Sequence, residues 1–144
     1  MMYYRPKYFD VKELVDPDTF KQYDKEFILK FFFDSRILYQ IDLIREWFNK
    51  PVIINNWNFN GKFKYRGFRP FNCKEGSKYS AHKFGRAVDF DVVGLEPEFV
   101  RKEIIKNQKN MFFQYITRIE DKVNWVHIDC SNTNTKNGIV LFKP

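Results

Sequence analysis

Ser80-Ala81-His82-Lys83-Phe84-Gly85-Arg86-Ala87-Val88-Asp89-Phe90-Asp91 is the stretch on which the reading of this chain turns. Its second half alternates. Val88, Phe90 and Val92 fall on one side of an extended backbone, and Ala87, Asp89 and Asp91 fall on the other. The pattern predicts a strand over 87–93 with a carboxylate on its non-aliphatic face. Further along, Asn124-Trp125-Val126-His127-Ile128-Asp129 alternates in the same way. Val126 and Ile128 face the core, and Trp125, His127 and Asp129 share the opposite face. The chain has only 2 histidines, and both lie in these stretches. A loop histidine, His82, delivered by the turn at Gly85 would join Asp89 and His127. Two imidazoles and one carboxylate, with a fourth position for water, form a catalytic zinc set. The competing reading of the same residues is two half-exposed histidines beside solvated aspartates.

Working outward, Ile37, Ile41, Ile44 and Phe48 recur at helical spacing. They predict an amphipathic helix over 36–49, capped by Asp34 or Ser35, with Asp42, Arg45, Glu46 and Asn49 outside the stripe. Lys50-Pro51 stops it. Val52, Ile53 and Ile54 read as a short buried strand, and 62–80 as loop. Glu96-Pro97 opens a second helix to about residue 107. Strands are expected over 112–120, 124–130 and 139–142, with 121–123 as a tight connection. In 1–33, Phe20, Phe27 and Phe31 suggest one helical face, with Asp18 and Asp24 as caps and Pro17 as a break. The fold class is α+β, a small antiparallel sheet with flanking helices.

The length of 144 residues suits a single domain over 1–144. Aromatics reach 19%, so the core is built largely from flat side chains. The formal charge of +7 favours anionic partners. No stretch approaches a membrane span, and MMYYRPKYFD lacks the apolar core of a secretion signal. The expectation is a monomer, cytoplasmic on synthesis, with no membrane partner and with Cys73 and Cys130 as free thiols.

Ser80-x-His82-x-x-Gly85-x-Ala87-x-Asp89, followed by Trp125-x-His127-x-Asp129, resembles the zinc D-Ala-D-Ala carboxypeptidase family. That family shares its fold with Hedgehog signalling domains and with phage endolysins that cut peptidoglycan stem peptides. Leu43-Ile44-Arg45, Lys50-Pro51-Val52-Ile53-Ile54-Asn55 and Gly67-Phe68-Arg69-Pro70 are similar to the family's approach to its active site. The resemblance covers about residues 35–130. It implies a Hedgehog/DD-peptidase-like fold, Zn2+ held by His82, Asp89 and His127, and a peptidoglycan peptide as substrate. Many members place the general base three residues before the second histidine. Asn124 stands there and cannot take a proton. The Hedgehog-like members place it about six before, near Glu120 and Asp121. Glu120 is the first choice because its longer side chain reaches back from a strand end; Asp121 is the second.

By the same resemblance, Arg69 binds a substrate carboxylate or the scissile carbonyl and Ser80 hydrogen-bonds near the metal or substrate; Trp125 could wall the cleft or pack in the core. Gly67 would let the backbone turn toward that cleft. Asp129 can orient an imidazole. Asp91 could do the same but reads as solvated; Arg118 could pair with a carboxylate at the site but reads first as a sheet-surface charge; Cys130 reads as core. The expected function is a zinc metallopeptidase acting as a peptidoglycan carboxypeptidase or endopeptidase, lysin-like, released at lysis or carried on a virion. The alternative is a zinc-binding module of the same fold without catalysis. Lys62-Phe63-Lys64-Tyr65-Arg66-Gly67-Phe68-Arg69 could track a nucleic-acid strand, but no nucleic-acid motif occurs, and no such partner is expected.

Overall fold

Ile37, Leu38, Ile41 and Ile44 are all sealed from solvent along one face of a helix, α3 (Ser35–Phe48). In a computed structural model describing residues 3–144, this helix is the largest apolar element against which the sheet packs. Burying each such side chain contributes roughly 1.5–3 kcal/mol. Asp34 caps the helix, its carboxylate accepting from Arg36 N at 3.0 Å. Asn49 ends it in a left-handed conformation, φ 50°. The sequence placed Asp42 outside the buried stripe; it is instead only 2% exposed. Its carboxylate accepts from Tyr4 Oη at 2.6 Å, Lys7 N at 2.7 Å and Tyr8 N at 3.2 Å. A helix periodicity cannot reveal this, because the partners come from a distant segment laid across that face.

Five strands form one sheet in the order β1-β2-β4-β3-β5: β1 (Val52–Ile53), β2 (Ala87–Val92), β3 (Arg118–Glu120), β4 (Val126–Asp129) and β5 (Val140–Phe142). β2 and β4 pair antiparallel, with Val88 opposite Ile128 and Phe90 opposite Val126. These four residues are fully buried and join the apolar residues of α3 and of the helix α4 (Pro97–Lys106) in one core cluster. The expected all-antiparallel sheet is corrected at one edge: β3 and β5 are parallel. The strand expected over 112–120 is also shorter. Its first part is a 3-10 turn, Met111–Phe113, capped by the Asn110 side chain. Asn124 and Trp125 precede β4, and Cys130 follows it, buried and unbonded, as Cys73 is unbonded in its loop.

The first third differs most from its sequence reading. Pro17 does not break a helix but opens one, α1 (Pro17–Gln22), capped by Asp16 rather than Asp18. Asp24 caps the next, α2 (Lys25–Phe31). Its core-facing residues are Ile28 and Leu29, whereas Phe27 and Phe31 are exposed, Phe31 by 62%. Two of the three residues of the expected aromatic face therefore point out, while Phe20 is half-buried against the core. Leu14 O accepts from Phe68 N at 2.9 Å, and Val15 O accepts from Trp57 Nε1 at 2.8 Å, so this region is stitched to the loop following β1. Among the described residues no helix is long and apolar enough to cross a membrane.

Gly85 closes the turn before β2 at φ 64°. A Cβ there would lie 1.9 Å from Phe32 O and 2.7 Å from Phe33 Cα. Both the backbone conformation and the contact exclude a side chain. Gly85→Ala is expected to destabilise the protein by about 2–4 kcal/mol, read from the urea-unfolding midpoint. A change below half a kcal/mol would show that this turn is free to relax.

Candidate metal centre

In an antiparallel pair, residues directly opposite point to the same face. Asp89 on β2 lies opposite His127 on β4, so their side chains meet above the sheet on the face away from the aliphatic core. Asp89 Oδ1 is 2.7 Å from His127 Nδ1. The third member arrives from outside the sheet. Ser80 Oγ accepts from His82 N and caps a 3-10 turn, Ala81–Phe84, which Gly85 terminates. Arg69 N donates to His82 O at 3.1 Å and pins the turn to the preceding loop. His82 Nε2 then stands 3.2 Å from Asp89 Oδ1 and 3.3 Å from His127 Nδ1. His82, Asp89 and His127 are 2%, 6% and 5% exposed.

The far side of each ring has a fixed partner. His82 Nδ1 lies 2.8 Å from Gly67 O. A carbonyl only accepts, so Nδ1 carries the proton and Nε2 turns its lone pair inward. His127 Nε2 lies 2.9 Å from Asp129 Oδ2, which leaves Nδ1 facing inward. Asp129 is fully buried and is itself gripped by Arg118, Nε to Oδ1 at 3.0 Å and Nη2 to Oδ2 at 2.9 Å. Arg118 is thus no sheet-surface charge; it holds the carboxylate that orients His127. Asp89 Oδ2 accepts from Arg69 Nη2 at 3.2 Å. Two nitrogens and one carboxylate oxygen therefore converge, all within 4.8 Å of one another. Ligands about 2.0–2.1 Å from a tetrahedral ion lie roughly 3.3 Å apart, and two of the three edges here match that spacing. The donor set, its inward lone pairs and its outer hydrogen bonds fit a metal ion.

Electrostatics leave His82 neutral with its lone pair inward but put a proton on the inward Nδ1 of His127, which a metal ion must displace. Burial lowers the pKa of His82, so the ring is neutral. Burial also opposes charge on His127, but hydrogen bonds to Asp129 and Asp89 outweigh it and raise its pKa to about 9. Against its burial, the His82 and His127 rings hold Asp89 well below the ordinary carboxylate range. Asp129 is likewise disfavoured by burial, yet His127 and Arg118 pull it down to about 2.

The three side chains line a cavity of ≈ 730 Å3 whose wall also includes Arg69, Ser80, Arg118, Glu120, Trp125 and Phe142. Glu120 Oε2 is 3.9 Å from His127 Nδ1. Asp121 is not among the lining residues; its backbone N instead donates to Phe142 O at 2.7 Å. Arg69 is largely enclosed, with Nε donating to Tyr65 O at 2.7 Å. Gly67 has no unusual backbone angle; a Cβ there would lie 2.0 Å from Leu14 O, so the residue serves close approach of two segments rather than a turn. Asp91 points elsewhere and pairs with Arg66 at 2.9 Å. Trp125 Nε1 is buried without a hydrogen-bond partner. The sequence reading missed Phe142, whose ring packs edge-on against His127 at 5.4 Å and under Arg118 at 4.3 Å. Its only signal was the alternation of a very short strand.

Comparison with protein-family models, curated proteins and solved structures returns no match for this chain.

Titrated with zinc, the donor set is expected to take one ion per chain, and the His82→Ala, His127→Ala double variant to take none. His127 carries its extra proton below pH 9, and binding must displace it. Affinity should therefore rise about tenfold per pH unit from 7 toward 9 and then level off, with close to one proton released at pH 7 by calorimetry in paired buffers. Full zinc content in the double variant would place the ion elsewhere.

Proposed function

We propose that this protein is a zinc-dependent peptidase hydrolysing an amide bond of peptidoglycan stem peptides, built on a Hedgehog/DD-peptidase-like fold. The observation that carries the reading is a buried His82, Asp89, His127 cluster with a carboxylate, Glu120, 3.9 Å from His127 on the wall of an open cleft. When bound, zinc would polarise the scissile carbonyl and lower the pKa of a water to about 7. Glu120, on the wall of the same cleft, would serve as the general base, accepting a proton from the attacking water and returning it to the leaving amine. Its position supports it over Asp121, whose backbone joins β5.

Arg69 has a supporting part. One arm of its guanidinium is engaged by Asp89 and its Nε by Tyr65 O, which fixes the fork beside the metal ligands. A fork held this way suits stabilising charge that develops on the carbonyl oxygen better than chasing a mobile carboxylate. Ser80 and Trp125 border the same cavity and would contact the peptide. The net charge of +7 suits an anionic wall polymer.

The deciding experiment is mass spectrometry of muropeptides incubated with the zinc-loaded protein. Cleavage of a stem-peptide bond is expected, and Glu120→Gln should slow it by about a hundredfold or more with zinc still bound. Asp121→Asn should change the rate little. The reverse order would make Asp121 the base. Stoichiometric zinc with no cleavage of any muropeptide would leave a zinc-binding module without catalysis.

Amidating the substrate C-terminus separates the two roles of Arg69. If the guanidinium serves the developing oxyanion, amidation is tolerated while Arg69→Ala slows turnover by about tenfold or more. If it clamps a terminal carboxylate, amidation and Arg69→Ala give the same loss. Zinc content should be unchanged in either case.

A further inference from the structure

A second, larger cavity, of ≈ 920 Å3, adjoins the metal cleft, and Glu75 is the residue common to the two linings. Its volume falls within the range of ligand sites, about 300–1,000 Å3. The aromatic part of its wall is open to solvent. Phe31 closes α2, Phe71 lies in the long loop, and Phe84 ends the turn that carries His82. They are 62%, 66% and 47% exposed, and Phe71 and Phe84 meet edge to face with centroids 5.4 Å apart. Large rings left in water forgo the gain of burial, so a concave set of them marks a place where a ligand can cover them.

The rest of the wall is polar without a dominant charge. Asp16, Asp18 and Glu75 stand against Lys74 and Lys83, three carboxylates to two ammonium groups. An anion would meet the carboxylates, a cation would meet the ammonium groups, and a wholly apolar body would strip water from both. Asp18, Gln22, Asn72 and Glu75 are solvent-exposed, and among the described residues none of these four side chains has a hydrogen-bond or ion-pair partner. Carboxylates and side-chain amides accept from hydroxyl groups, and the amides also donate to them. The ligand that complements this wall is uncharged, rich in hydroxyls and apolar on its flat faces. A pyranose has that chemistry, with ring C–H groups on its faces and hydroxyls around its edge. We propose that this cavity is a saccharide-binding site, separate from the metal cleft, in which pyranose rings lie against Phe31, Phe71 and Phe84 and hydrogen-bond to Asp18, Gln22, Asn72 and Glu75. The site is independent of the peptidase reading, because its lining includes none of His82, Asp89, His127 and Glu120.

The test is a titration of the full chain with triacetylchitotriose and with cellotriose, followed by amide chemical shifts and calorimetry. At least one trimer is expected to bind with a Kd of about 1 mM or tighter. Its shifts should cluster at 18–31, 71–75 and 84. Tighter binding of triacetylchitotriose marks an acetamido sugar, and equal or tighter binding of cellotriose marks a plain hexose polymer; both support the site. Phe31→Ala and Phe71→Ala remove exposed rings, so the fold is retained, and each is expected to weaken binding by about threefold to tenfold. Phe59→Ala removes a ring that is 73% exposed outside the cavity and should change nothing. Absence of shifts with both trimers at about 10 mM would overturn the proposal without recourse to any variant. So would shifts centred on 120–129, an affinity that survives both Phe31→Ala and Phe71→Ala, or an equal loss from Phe59→Ala. Cleavage of muropeptides is read separately, so failure of the saccharide site leaves the peptidase reading standing, and the reverse.

Discussion

The pairing of Asp89 with His127 across β2 and β4 is the constraint from which the site follows. A slip of β2 by one residue would turn Asp89 to the other face and put Val88 or Phe90 where the carboxylate stands. The register is held by the aliphatic side of the same strands. Val88, Phe90, Val126 and Ile128 are fully buried against α3 and α4, and exposing them would forfeit roughly 1.5–3 kcal/mol each. The core thus positions the polar face without touching it.

Concentrating charge above a sheet is expensive unless each group is satisfied. Here every member has an outer partner. Gly67 O receives the His82 proton, Asp129 receives that of His127, Arg118 holds Asp129, and Arg69 holds the free oxygen of Asp89. These partners come from the loop after β1 and from β4 and β3. Gly67 and Gly85 admit the close approach of segments 14 and 32–33 that braces this loop and turn. The first third of the chain therefore supports the site although it supplies no donor to it.

The loop and turn over 65–84 serve two spaces at once. Arg69, Ser80 and His82 line the cleft that holds Asp89 and His127, while Tyr65, Phe68, Lys83 and Phe84 line the larger cavity. Arg69 N to His82 O ties the long loop to the turn.

The sequence by itself determined the pieces in which local periodicity matches burial. α3, α4 and the inner strands follow from alternation and helical spacing, and His82, Asp89 and His127 stood out because both histidines lay in such patterned segments. The parity of β4 already put His127 and Asp129 on one face. Only the tertiary structure decided what depends on residues far apart in the chain. Asp42 looked solvated until residues 4–8 were laid over it, and Arg118 looked like a surface charge until β4 brought Asp129 beside it. The outward Phe27 and Phe31 and the parallel β3–β5 edge are of the same kind. Periodicity encodes which face of an element is buried. It carries no information about which distant polar group meets that face, because such pairings are selected by the whole packed chain.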